Sequence, residues 1–474
     1  MLKILILLPI LGTIHISLLN NQKAVKLVGL IYSGLCLLLI SLIGLFLNLS
    51  LFEGQFVETV NLSSTYGFII EVDGISYLFV ALTSLIQPIC ILTGWTSVKY
   101  RVKEYLSCLL LLQSMLYLVF VVKNLLIFYI FFEAVLIPMF LLIGIWGSRQ
   151  RKIHASYQFF LYTLAGSLLM LIALMMMYAV AGTFETELLS YVHFSPEFQR
   201  LLWLGFFISF AIKVPMIPFH IWLPEAHVEA PTFGSIILAA ILLKLGTYGL
   251  LRFSIGLFPE ASVYYSPLVF ILSSLGILYG SLTTIRQIDL KKIIAYSSVA
   301  HMGYVTLGLF SLVMEGVTGS IIVMIGHGFV SGALFFCVGA LYDRYGSRII
   351  TYYGGLVQAM PLLSAFFLLL TLANISFPGT VNFIGEILII IGIFKINVIL
   401  AIVAALGTGL GAAYSMWAYN RVFFGKPNST LLYIDITRRE LFIISVFILL
   451  ILVTGLIPGF INSYIGNSIT FLLK

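Results

Sequence analysis

Uncharged apolar runs about twenty residues long follow one another along the whole 474-residue chain, and few folds can accommodate them. A bilayer core about 30 Å thick is crossed by about 20 apolar residues in a helix, whereas a membrane β-barrel needs segments of about 10 residues that alternate apolar and polar. The runs here are continuous, as helices require, because backbone polar groups in hydrocarbon must be bonded within their own segment. Composition agrees: 61% of residues are hydrophobic and 9% charged, against roughly 25% charged in a soluble domain. The chain is therefore expected to be an all-α polytopic membrane protein without a large water-facing catalytic domain.

About fourteen spans are expected, at residues 2–19, 25–48, 74–97, 105–122, 124–146, 155–181, 201–224, 232–256, 265–285, 292–313, 316–341, 361–395, 397–420 and 441–463. The first carries only Lys3 ahead of its apolar run and no small-residue cleavage site, and reads as a span rather than a signal peptide. The longest interruptions, 50–73, 182–200 and 424–440, hold no linker, so residues 1–474 are expected to form a single membrane domain. Alternate loops then gather the bases on one face: Lys23, Lys26, Lys99, Arg101, Lys103, Arg149, Arg151, Lys152, Arg286, Lys291, Lys292, Arg344, Arg348, Arg421, Lys426, Arg438 and Arg439. The other face holds Lys3, Lys123, Arg200, Arg252, Lys395 and Lys474. The positive-inside rule makes the richer face cytoplasmic or matrix and puts both termini outside.

Two spans are interrupted alike, by Lys213-Val214-Pro215-Met216-Ile217-Pro218 and by Asn374-Ile375-Ser376-Phe377-Pro378-Gly379. Proline lacks the N–H and crowds the preceding turn, so both helices should break there, which the membrane tolerates where protein or a hydrated cavity surrounds the break. Pro215 and Pro378 lie 163 residues apart, close to the offset between the spans starting near 105 and 265. This suggests two five-span repeats, 105–256 and 265–420, of opposite topology, as in inverted-repeat transporters. Unrelated proline kinks are the alternative.

Charge at the bilayer centre costs about 2.5–3.5 kcal/mol or more per group, so each instance needs a reason. Four charged residues stand well inside spans, Glu133, Lys213, Lys244 and Glu386, joined by His301 and His327. Burial disfavours the charged form of a lysine, which can then release its proton, and a nearby carboxylate restores it. Arginine would stay charged, and none occupies these central positions. The chemistry open to this row is proton exchange; the competing reading is static ion pairs that fix helix packing.

Other patterns carry less. Cys36, Cys90, Cys108 and Cys337 are far apart inside apolar runs, with no CxxC pair, and read as small core residues. His220, Glu225, His227 and Glu229 cluster between prolines that should prevent the helical i, i+4 face of an HExxH metal site, so no metal is expected. Gly407-Thr408-Gly409-Leu410-Gly411 lies inside an apolar span and reads as close helix packing rather than a dinucleotide turn. The bases punctuate short loops and do not form a nucleic-acid surface.

The run Ile212-Lys213-Val214-Pro215, followed by Pro218-Phe219-His220-Ile221-Trp222-Leu223-Pro224-Glu225-Ala226-His227-Val228-Glu229-Ala230-Pro231, resembles the signature of the proton-translocating, antiporter-like membrane subunits of respiratory complex I. Phe131-Phe132-Glu133-Ala134-Val135-Leu136-Ile137-Pro138, Gly147-Ser148-Arg149-Gln150-Arg151-Lys152, the stretch from Asp289-Leu290-Lys291-Lys292 to Ala300-His301-Met302, and Phe383-Ile384-Gly385-Glu386 support it. The likeness is weakest over about 1–65 and after about 425.

The resemblance implies fourteen helices with inverted repeats and no redox centre on this chain; NADH, FMN, iron–sulfur clusters and ubiquinone belong to partner subunits. It implies neighbouring antiporter-like chains and membrane lipid as partners, without nucleic acid. Glu133 and Lys213 look like the family's regulating ion pair, Lys244 resembles the linking lysine, His301 and His327 the central polar axis, and Glu386 the exit-side carrier. Glutamate at 386 marks one branch, since sister chains typically carry lysine there, and the chain ends soon after its last span without one sister type's lateral helix. Lys213 precedes its helix break while Glu386 follows the other, a departure from strict repeat symmetry. A mitochondrial inner membrane is implied, with a bacterial plasma membrane as alternative. A self-sufficient cation/proton antiporter and a structural scaffold are the competing classes.

Overall fold

The computed structural model describes residues 1–51, 54–61, 67–427 and 433–473. Helices α1 (Leu2–Leu18) and α2 (Gln22–Phe46) lead to an antiparallel pair, β1 (Gln55–Asn61) and β2 (Gly67–Val72). Then come α3 (Gly74–Ser97), α4 (Val102–Val121), α5 (Leu125–Ala134), α6 (Leu136–Trp146), α7 (Lys152–Ala181), α8 (Thr186–Ser190) and α9 (Pro196–Lys213). Next are α10 (Trp222–Glu229), α11 (Thr232–Ile237), α12 (Leu243–Gly249), α13 (Pro259–Ile285), α14 (Leu290–Leu309) and α15 (Met314–Tyr345). The chain ends with α16 (Leu356–Ala359), α17 (Pro361–Asn374), α18 (Val381–Phe394), α19 (Val398–Phe423), α20 (Arg438–Leu456) and α21 (Gly459–Leu472).

Among the described residues ten helices are long and apolar enough to cross a membrane, counting Leu125–Trp146 and Thr232–Ile255 as one each. Helices α1, α9, α14 and the broken pair α17 and α18 occupy the other four expected spans. Thr232–Ile255 and α15 are wholly buried over their apolar stretches, whereas only 28% of the corresponding stretch of α2 is buried. A helix that is apolar all round belongs in the interior, and these two carry Lys244 and His327.

Three details differ from uninterrupted spans joined by plain loops. The interruption at 50–73 contains strand structure, with Glu58 opposite Ile70 and Val60 opposite Phe68, because its Val, Thr, Phe and Ile residues suit a pleated ribbon. The span expected at 124–146 is present as Leu125–Trp146 but interrupted at Val135: Pro138 has no N–H for the Ala134 carbonyl, so α5 stops at Ala134 and α6 begins at Leu136. The span at 441–463 likewise ends at Leu456, and Pro458 separates it from α21.

The helices pack as two units that are not continuous in sequence. The first comprises Met1–Val214, Ile241–Tyr265 and Ser463–Lys474; the second comprises Pro215–Ala240 and Ser266–Asn462. The first has an aromatic interior in which Phe79, Phe120 and Tyr248 meet and Tyr248 donates to the Phe120 carbonyl at 2.9 Å. In the second, α15 lies against α18 across glycines: a Cβ on Gly319 would sit 2.6 Å from the Gly385 carbonyl oxygen. Small residues of this kind let membrane helices approach backbone to backbone.

Candidate functional site

Within the first unit, the break imposed by Pro138 leaves Glu133 one residue from the end of α5. Both its carboxylate oxygens are shielded from solvent. The second expected break is also present: Pro215 and Pro218 cannot donate to the Ala211 and Val214 carbonyls, and α9 ends at Lys213. The Lys213 ammonium donates to the Phe132 carbonyl at 2.6 Å and lies 3.0 Å from the centre of the Phe132 ring. The ion pair implied for Glu133 and Lys213 is thus not closed, since the ammonium is directed at the residue before the carboxylate. A carbonyl and an aromatic face both solvate a cation, which explains how it tolerates burial there.

Lys244 is fully buried, on a short α-helical stretch between two π-helical segments, Leu238–Leu242 and Leu250–Ile255. Such segments are rare and concentrate at functional positions, because they widen the helix and shift side-chain register. Two residues on, a Cβ at Gly246 would lie 2.6 Å from Val214 Cγ2 and 2.9 Å from the Phe210 carbonyl oxygen. The Lys244 helix therefore abuts the last turn of α9, where Lys213 sits.

The second unit assembles the remaining three groups. Pro378 has no N–H for the Asn374 carbonyl, and α17 ends at Asn374. The chain turns through Ser376 and Gly379, both at positive φ, before α18 begins at Val381. One helical turn into α18, Glu386 Oε1 lies 3.0 Å from His301 Nδ1. The other ring nitrogen, Nε2, lies 3.2 Å from Asn374 Oδ1, and Asn374 Nδ2 donates to Ser415 Oγ at 3.2 Å. His327 on α15 holds its ring 5.6 Å from that of His301. A small cavity lined by His301, Tyr304, Asn374, Glu386 and Tyr414 adjoins the pair. Glu386, His301 and His327 are all nearly or fully buried.

Charged residues that hydropathy placed in loops are also buried. Arg348, expected on the base-rich face, has no exposure at all; it donates to the Val228 carbonyl and lies near Glu229 and Asp289. Lys291, expected beside it in a loop, is 2% exposed and donates to the Ala230 carbonyl at 2.7 Å. Carboxylates and carbonyls replace water around both, a compensation that hydropathy cannot register. In the first unit, Arg252 pairs with Asp73 and Lys123 with Glu71. Burial raises the Asp73 carboxyl's pKa, but the Arg252 guanidinium beside it, together with Lys123 and the Ser76 N–H, outweighs this and holds it well below the usual carboxylate range.

The prolines around His220 do not prevent helix formation. Pro224 falls in the first turn of α10, where a missing N–H is harmless, and Ala230, preceding Pro231, ends the helix in an extended conformation. His227 stacks on Phe335 at 4.5 Å, and among the described residues no group of three or more His, Cys, Asp or Glu could hold a metal ion. The glycines from 407 to 411 lie within α19, where Gly407 packs closely on Ile277 and Tyr304.

A family model described as "NADH:quinone oxidoreductase/Mrp antiporter, TM" matches residues 122–411. The chain is 54% identical over 476 residues to a Marchantia polymorpha protein named NADH-ubiquinone oxidoreductase chain 4, covering 99% of this chain and 96% of that one. An Arabidopsis thaliana protein of the same name is 50% identical over the same shares. Among solved structures, a chain of respiratory complex I from Thermus thermophilus with bound NADH superposes over 100% of both chains, with TM-score 0.91 and 32% identity. A chain of the Mrp complex from Dietzia sp. shares the fold, at TM-score 0.89 and 19% identity over 100% of this chain and 98% of that one. With relatives at 50–54% identity over nearly their whole length and a family model matching 122–411, the chain belongs to the NADH-ubiquinone oxidoreductase chain 4 family.

Proposed function

We propose that this chain is a membrane subunit of respiratory complex I that moves protons across the membrane while other subunits oxidise NADH and reduce ubiquinone. The observation that carries the reading is where ionisable groups meet helix irregularities. Glu133 and Lys213 lie at helix ends made by proline, Lys244 lies between π segments, and Glu386 follows the Pro378 break to face His301. Free backbone groups at such breaks can bond water or a moving proton carrier, and small rearrangements there change a neighbouring group's solvation. Glu133, Lys213, Lys244, His301, His327 and Glu386 are the proposed transfer groups. Moving one charge against about 100 mV costs about 2.3 kcal/mol, so the drive comes from redox chemistry outside this chain.

The same reading places FMN, iron–sulfur clusters and ubiquinone in partner subunits, with neighbouring antiporter-like chains and lipid around this one. It places the chain in the mitochondrial inner membrane with both termini on the intermembrane-space side, and takes 105–256 and 265–420 as inverted repeats. The test is Lys244→Arg and Glu133→Gln in the assembled enzyme, measuring protons moved per NADH oxidised. Arginine keeps the charge but does not release its proton. A lowered ratio in both supports the proposal; an unchanged ratio in both, with assembly intact, would overturn it.

A second reading, a self-sufficient cation/proton antiporter, is favoured by the breadth of the matching family, whose description includes Mrp antiporters. Sodium-driven proton exchange by the chain alone in liposomes would support it. Co-purification with flavin and iron–sulfur subunits, together with inactivity alone, would favour complex I.

A further inference from the structure

We propose that Asn374 is a positioning residue that fixes the tautomer of His301, so that the contact between His301 and Glu386 is specific to the proton-loaded state. The inference rests on the proton-transfer reading above and adds a residue to it. An amide oxygen only accepts hydrogen bonds, so Asn374 Oδ1, 3.2 Å from His301 Nε2, requires that nitrogen to carry hydrogen. In this orientation the other end of the amide is also satisfied, its Nδ2 donating to Ser415 Oγ at 3.2 Å. The bond made by one ring nitrogen sets the state of the other. With Nε2 protonated, the neutral ring presents a lone pair at Nδ1, and that lone pair faces Glu386 Oε1 at 3.0 Å.

Two acceptors at this distance need a proton between them. When it is on Nδ1 the pair is imidazolium and carboxylate; when the N–H bond breaks and an O–H bond forms on Oε1, it is imidazole and carboxylic acid. The pair's net charge is zero in both cases, and nothing else changes. Take the proton away and a lone pair faces a carboxylate, so the contact must open. Asn374 is the last residue of α17, and the chain runs from it through the 375–380 break into α18, which carries Glu386. The element that sets the tautomer is therefore joined, through a break with two positive-φ residues, Ser376 and Gly379, to the one that must move. The other titratable groups around His301 are His327 on α15, Tyr304 on its own helix and Tyr414 on α19.

If Asn374 becomes leucine, the empty ring can place its hydrogen on Nδ1 and donate to the Glu386 carboxylate. The contact then stays closed whether or not the pair is loaded. The test compares Asn374→Leu with Asn374→Asp, which keeps an oxygen acceptor, in the assembled complex. Infrared spectra with isotope-labelled histidine, after subtraction of the His301→Gln enzyme, report which ring nitrogen carries hydrogen, and vesicles report protons per NADH. The expected result is a ring band shifted to the Nδ1–H form and a lower proton yield in Asn374→Leu, with both preserved in Asn374→Asp. An unshifted band or a full yield in Asn374→Leu overturns the proposal. Should the leucine enzyme not assemble, Ser415→Ala frees the amide to turn and must shift the same band, or the proposal fails. A full yield in His301→Gln would instead sink the proton-transfer reading itself, which separates the two failures.

Discussion

Gly385→Ala tests whether the spacing between α15 and α18 sets the geometry of the proton pair. A Cβ on Gly385 would meet Val323 Cγ2 at 2.5 Å and two backbone atoms, the Gly319 oxygen and the Val323 nitrogen, at 2.9 Å. The valine methyl can rotate away, but the backbone atoms cannot. Restoring ordinary contact, which begins at 3.4 Å, moves α18 off α15 by about 0.5 Å. Glu386 is the next residue, so its 3.0 Å contact with His301 stretches toward about 3.5 Å, the limit of a hydrogen bond. Misplacing reacting groups by about 1 Å costs about 100-fold, so half that distance predicts a roughly tenfold slower proton transfer. Overpacking adds about 1–3 kcal/mol of destabilisation. The assay is proton pumping by the assembled enzyme in vesicles, normalised to NADH oxidised and to assembled complex. Gly409→Ala serves as control, since a Cβ there meets nothing within 4 Å. Wild-type pumping in Gly385→Ala, or equal damage in Gly409→Ala, would refute the reasoning.

Two more outcomes follow from the same contacts. Pro138→Ala restores a donor for the Ala134 carbonyl, so α5 and α6 should fuse and reorient Glu133; slower pumping with normal assembly is expected, and unchanged pumping would show that the break is incidental. Asp73→Asn breaks a largely buried pair with Arg252 and should cost about 3–5 kcal/mol, read as a lower denaturation temperature of the complex. Because the Asp73 carboxyl is held below its unfolded value of about 4, its contribution is full above that value and lost only as pH falls through the lower folded one. The stability gap between wild type and Asp73→Asn should therefore stay constant from about pH 8 to pH 5 and close only in stronger acid; a gap that closes near neutrality would refute the assignment.

Much of the membrane architecture was legible residue by residue. Span positions agree with the helices to within a few residues wherever no proline intervenes, as at Val102–Val121, because hydropathy is a local property. The breaks at Pro215 and Pro378 were legible for the same reason: a missing N–H acts on a carbonyl four residues away. The same rule applies at Pro138 and Pro458, where the surrounding apolar run masked it. The strand pair at 55–72 went unread because short alternating segments give a weak signal beside twenty-residue apolar runs.

What the sequence by itself determined is the class of protein, its helical spans and the few charges that apolar surroundings leave to be explained. Those follow from the bilayer's thickness and from bonds the backbone must make within each segment. Only the tertiary structure decided what each buried charge faces. Lys213 turns to the Phe132 carbonyl rather than to Glu133, His301 meets a glutamate 85 residues away, and Arg348 is buried although it lies in a loop. The reason is that the cost of burying charge depends on which carbonyls, carboxylates and rings replace water, and distant segments supply those when they pack.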